Sequence, residues 1–252
     1  MKPLLAKIKP AHGFSYLVHL GLRLLLPLAL FVLVRLPGEF VQLALSLVLL
    51  SKWRMFAVRP RFWPAMVRAN AVDIMVGISV VLFMAHTTNY WWQLAWAVLY
   101  AFWLVAIKPA SGLTMVSLQA MLGQLAGLMA LFLTWSDAPA YGLVAVTGVI
   151  CYFSARHFFD SFDEPYAKLL AYLWGYFGAA LMWVLAHWLV FYYGVLPQPV
   201  VILSTLGYGL AALYYFDHSG KLSPLMQRQF IFIMVAILLV ILTFSDWGDK
   251  IV

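Results

Sequence analysis

The densest run of chemically useful side chains is Ser154-Ala155-Arg156-His157-Phe158-Phe159-Asp160-Ser161-Phe162-Asp163-Glu164-Pro165. If the helix that enters this run continues through it, His157, Asp160 and Glu164 follow i, i+3, i+7 spacing and share a face. Carboxylates at Asp160, Asp163 and Glu164 would suit Mg²⁺ at a membrane surface, where a diphosphate headgroup would sit. His157 would then serve as acid or base. A structural reading competes. Arg156 stands four residues before Asp160, the spacing of an intrahelical ion pair, and Asp163-Glu164 before Pro165 suits a helix start. Membrane prenyl- and phospho-alcohol transferases use paired or longer acid motifs, and this cluster has no second partner. There is also no H-E-x-x-H, G-x-S-x-G or P-loop pattern, so no cofactor is assigned.

A second group consists of polar residues inside apolar runs, where they are costly and therefore informative. Arg23 lies about a third of the way into the first run, and either snorkels to headgroups or pairs within the bundle. Asp73 is nearly alone as an intramembrane acid. Local pairing with Arg68 or Asn70, an Arg23–Asp73 interhelical pair, and a proton or cation site are its open readings. Gln119 and Gln124, with Ser117, Thr134 and Gly123-x-x-x-Gly127, make the fifth run the most polar, as a packing device or as the lining of a path. His187, four residues after Trp183, reads as an interhelical hydrogen-bond partner. Trp92, Trp96, Tyr100 and Trp103 form an aromatic stripe that packs on helices or lipid, or cradles an isoprenoid or sterol-like chain.

The elements that must hold these residues follow from composition. Of 252 residues, 65% are hydrophobic and 10% charged, against about 45–50% apolar and about 25% charged in soluble domains. A soluble fold, a disordered chain and, with one cysteine, a disulfide scaffold are excluded. The fold class expected is all-α: a polytopic integral membrane helix bundle forming a single domain over 1–252. Nine apolar runs of near-spanning length are read at Phe14–Val34, Leu36–Ser51, Ala71–His86, Tyr90–Ile107, Leu113–Trp135, Tyr141–Ala155, Leu169–Tyr193, Val200–Phe216 and Phe230–Phe244. The second is short and follows a Pro37-Gly38 turn signal, so the first two either span or form a re-entrant hairpin.

Charge sets the orientation. With a cytoplasmic N-terminus, every Lys and Arg except Arg23, Arg35 and Lys250 falls on the inner side, as the positive-inside rule requires. The longest basic connector, 52–68, interleaves aromatic residues with Lys52, Arg54, Arg59, Arg61 and Arg68. It reads as an interfacial elbow on anionic lipid headgroups. The connector 156–168 carries the acidic and basic cluster. Membrane lipids are the expected partners, with a homo-oligomer or membrane complex also open and no nucleic acid.

The stretch from Arg156-His157 to Phe162-Asp163-Glu164-Pro165, followed by Tyr172-Leu173-Trp174-Gly175, resembles uncharacterised polytopic membrane proteins of reduced-genome bacteria. That resemblance implies a bacterial inner membrane and brings no activity with it. Three functions stay open. The leading one is a transporter or channel for a small or lipid-like solute. A non-catalytic subunit or scaffold of a membrane complex comes second, and an enzyme on a lipid-linked headgroup third. The location expected is a cell membrane, multi-pass.

Overall fold

The computed structural model describes residues 14–36, 40–136, 138–162, 164–188, 192–193 and 196–245. It is all-α and 85% helical. The helices are α1 (Phe14–Arg35), α2 (Phe40–Leu50), α3 (Trp63–Ala85), α4 (Tyr90–Phe102), α5 (Leu113–Trp135), α6 (Ala140–Asp160), α7 (Ala167–Trp188), α8 (Gln198–His218) and α9 (Pro224–Phe244). A π-helical turn, Trp103–Ile107, extends α4, and a minimal antiparallel hairpin pairs Tyr192–Tyr193 with Leu196–Pro197 ahead of α8.

Among the described residues, seven helices are long and apolar enough to cross a membrane: α3 to α9. With little polar side-chain surface, their backbone groups must be satisfied within each helix, which is why such a chain forms a helical bundle. α2 falls short. Its 11 residues span about 16 Å at 1.5 Å per residue, roughly half of a hydrocarbon core of about 30 Å. The expected run of Leu36–Ser51 is therefore shorter as a helix, and α2 lies wedged between α1 and α3.

The 52–68 connector is broken as Pro60 and Pro64 require. Two 3₁₀ turns, Trp53–Met55 and Pro60–Phe62, lead into α3, with Pro64 in its first turn. α3 thus starts eight residues before the apolar run at Ala71. The added turns stay exposed or half-exposed, and burial begins at Ala71.

Side-chain bonds between helix ends fix which connectors lie together. Lys52, just after α2, and Lys108, at the end of α4, both reach Asp73. Gln119 near the start of α5 meets His157 near the end of α6, and Glu164, between α6 and α7, meets Tyr214 near the end of α8. At the other end, the Arg35 guanidinium sits 4.5 Å from the Tyr90 ring, Gln93 caps the carbonyls of Met84 and Thr87, and Gln198 donates to Ser245. Among the described residues, the first end carries nearly all the cations, and the second carries Arg35.

Two large apolar cores result, beside a smaller cluster of Ala120, Phe158 and Phe162. One joins α1 to α4 around Leu30, Val48, Val76, Val81 and Tyr100, and the other joins α5 to α8 around Leu128, Cys151, Met182 and Leu203; Met75 packs on both. The tightest pair, α6 with α7, is made by small residues. A Cβ at Gly175 would stand 2.9 Å from Tyr152 Cβ and 3.0 Å from the Gly148 carbonyl oxygen, so only glycine lets the backbones approach. Gly123 and Gly127 face different neighbours, Val72 of α3 and Ile150 of α6.

Candidate functional site

Two features on either side of α5 could support function. The first is a buried charge centre on Asp73. Its Oδ2 accepts from Lys52 Nζ and, at 2.5 Å, from Lys108 Nζ, while its Oδ1 accepts from Trp103 Nε1 at 2.9 Å. Asp73 and Lys52 are buried, whereas Lys108 keeps 37% of its side chain exposed. Burial pushes the Lys52 ammonium below the ordinary lysine range, and the Asp73 carboxylate pulls it back.

The π turn aims two of these groups. Lys108 N–H donates to the Trp103 carbonyl at 2.8 Å, an i→i+5 bond. In a regular α-helix, residues five apart leave on different faces; the wider turn lets Trp103 and Lys108 converge on one carboxylate. One turn further along α3, the Tyr100 hydroxyl lies over Gly77, where a Cβ would meet it at 2.8 Å. The aromatic stripe therefore winds inward, from exposed Trp92 to buried Tyr100 and Trp103.

The Asp73 partners differ from those expected. Lys52, read as a headgroup contact, is held inside by Asp73, and Arg23 is exposed on α1. Arg54, Arg59 and Arg61 remain exposed on the elbow, with the Arg61 guanidinium 4.6 Å over Phe62, and Arg68 is half-buried on α3. Trp103 and Lys108 are the residues that sequence reasoning did not connect to this site. Lys108 read only as an inner-side cation, and Trp103 only as a member of the stripe.

The acidic cluster does not converge. His157 Nε2 donates to Gln119 Oε1 at 2.9 Å, Asp160 takes the Arg156 guanidinium at 2.9 Å, and Glu164 accepts from Tyr214. These lead to α5, along α6 and to α8. Asp163 lies outside the described residues, among which no group of three potential metal ligands gathers. Gln119 Nε2 also donates to the Ile107 and Ala110 carbonyls at 2.7 and 3.0 Å, tying α5 to the chain that leaves α4. His187 is exposed, with Nδ1 2.9 Å from the Trp183 carbonyl on its own helix, so its bond is local rather than interhelical.

The second feature is a cavity of about 820 Å³ walled by α5 to α9, within the roughly 300–1,000 Å³ of small-molecule sites. Among the described residues, no Asp, Glu, Lys, Arg or His lines it. Helices α7 and α9 both contribute wall residues but barely touch each other, because α9 rests chiefly on α8. Leu173 and Phe177 on α7 and Ile233 and Ile237 on α9 line the cavity and are themselves exposed, so the cavity is open on this side. Its wall uses Leu170, Trp174 and Phe177 from the first half of α7 and Phe158 and Phe159 from the end of α6, which sets it toward the basic end of the bundle.

Gln124 builds the deep wall. Its Nε2 donates to the Leu203 carbonyl at 3.1 Å and its Oε1 accepts from Trp174 Nε1 at 2.8 Å, clasping α5, α7 and α8. Gly207 makes room for this clasp: a Cβ there would stand 3.0 Å from Gln124 Nε2 and 3.1 Å from the Trp174 ring. At the basic end, Tyr214 closes the wall, its ring 5.1 Å from Phe159 and 5.2 Å from Phe162. Ser154 and Ser204 stand in the wall with buried hydroxyls that have no hydrogen-bond partner among the described residues.

Comparison of the chain with protein-family models, curated proteins and solved structures finds no match.

Proposed function

We propose that this chain is a multi-pass protein of a cell membrane, its N-terminus cytoplasmic, that takes a lipid-like solute into the α5–α9 cavity and carries it as a transporter. The observation that carries this reading is the cavity, with no charged wall residue among those described and an opening on the side of α7 and α9. An apolar molecule already dissolved in the bilayer would enter sideways without crossing a polar surface. The orientation rests on the segregation of Lys and Arg to one end.

The polar residues support a lipid cargo over an ion path. Gln119 and Gln124 spend their amides on interhelical bonds, and Asp73 is held by two lysines and an indole. For an enzyme on a lipid-linked headgroup, the divergence of His157, Asp160 and Glu164 supplies no common reaction point.

Photo-crosslinking in proteoliposomes tests the reading. A lipid carrying a photoreactive tail is expected to label α7, α8 and α9 peptides that wall the cavity, and Ala211→Trp, which fills it, to suppress that labelling. An NBD-labelled glycolipid should also exchange between leaflets faster than in protein-free vesicles. Labelling spread evenly over the outer helix faces and unaffected by Ala211→Trp would overturn the proposal. Cavity labelling without exchange would favour a lipid-stabilised complex subunit. That alternative draws on α9, an apolar helix with only 11% of its most apolar 18-residue window buried.

A further inference from the structure

We infer that the cavity selects an uncharged lipid whose polar end is a hydroxyl or carbonyl, over a lipid of the same tail ending in phosphate. This rests on the reading of the cavity as a lipid site and names the class of molecule it takes. A long-chain prenol has the required chemistry: an apolar tail with one small hydrogen-bonding end.

Three observations converge. First, among the described residues the wall offers no cation to a phosphate, and a charged group taken into an apolar site without a partner is strongly penalised. Second, the acid–base side chain bonded to the wall at the basic end has the wrong sign for an anion: the Glu164 carboxylate, which accepts from the Tyr214 hydroxyl. The Arg156 guanidinium is engaged by Asp160, on a different side of α6 from the wall residues Ser154, Ala155, Phe158 and Phe159. Third, the wall contains two buried hydroxyls without partners among the described residues, those of Ser154 and Ser204. A buried hydroxyl left unbonded is costly, and rotation about χ1 gives each serine a choice of staggered directions. An alcohol or carbonyl in the cavity would satisfy one or both, which a plain hydrocarbon cannot do.

Equilibrium binding to the delipidated full-length protein in detergent tests this with three probes. They are a long-chain prenol, the prenyl monophosphate of the same tail, and the corresponding hydrocarbon. The prenol is expected to bind at least about tenfold tighter than the monophosphate. Ser154→Ala and Ser204→Ala should each weaken prenol binding about 2- to 10-fold and leave the hydrocarbon unaffected. Monophosphate binding as tight as prenol binding would overturn the inference while leaving the lipid site standing. Unchanged prenol affinity in the double serine variant would overturn it equally. If no probe distinguishes wild type from Ala211→Trp, the lipid-site reading itself fails and this inference goes with it.

Discussion

The Asp73 carboxylate neutralises one of two ammoniums that meet on it, and a third donor, the Trp103 indole, completes its shell. Removing the carboxylate charge leaves Lys52 buried and unpaired. Breaking a buried pair from one side costs about 3–5 kcal/mol, so Asp73→Asn should lower the unfolding midpoint in detergent sharply. Lys108→Met should cost far less, about 0–1 kcal/mol, because that side chain is partly solvated and the Lys52–Asp73 pair survives. Thermal melts of the two variants compare them directly; equal losses would show that Lys108 is as much a part of the buried pair as Lys52. Sequence reading singled out Asp73 because an acid in an apolar run is rare. Its partners were hidden because they are 21 and 35 residues away, and because nothing in the composition of Trp103–Ile107 announces a π turn. Similarly, the i, i+3, i+7 spacing of His157, Asp160 and Glu164 was readable. Its divergence was not, since Glu164 falls beyond the end of α6 and its side chain follows the connector to Tyr214.

At the level of elements, apolar run length located the helices because each must satisfy its own backbone in lipid. α5 runs over Leu113–Trp135 as the sequence predicts, and α1, α6, α8 and α9 fall within a few residues of expectation except where polar ends extend them, whereas α7 ends at Trp188 and Tyr192–Tyr193, expected at the end of its run, pair in a hairpin. The largest differences come at α2 and α3, where Pro60 and Pro64 build the elbow and the helix start from residues too polar to count as a span. Helix contacts were less legible, since a small-residue spacing does not name its partner: Gly123 and Gly127 seat two different helices. The α6–α7 seam makes a direct prediction. Gly175→Ala places a methyl against Tyr152 and the Gly148 carbonyl, and should cost about 1–3 kcal/mol by overpacking. Gly142→Ala, on the same pair of helices but with open space around it, should leave the melting temperature unchanged or slightly raised. A neutral Gly175→Ala would mean that the two backbones are further apart than described. The Gln124 clasp is a second test: Gly207→Leu should push Trp174 and Gln124 apart and reduce occupancy of the cavity they wall.

At the scale of the whole molecule, two apolar cores share Met75 and differ in character. The α1–α4 side is closed around a paired charge centre, and the α5–α9 side leaves a space with no charged wall residue among those described, open on the side of α7 and α9. The sequence could not disclose this space, because a cavity is a property of how five helices meet; its lining residues look individually like ordinary core and lipid-facing positions. Native mass spectrometry of the full-length protein, extracted from its own membrane in mild detergent, tests the central claim most directly. One uncharged lipid per chain, retained by wild type and lost in Ala211→Trp, is the predicted result. A chain without bound lipid, one carrying only ordinary bilayer phospholipid in both forms, or a fixed-stoichiometry protein partner in place of the lipid would contradict it.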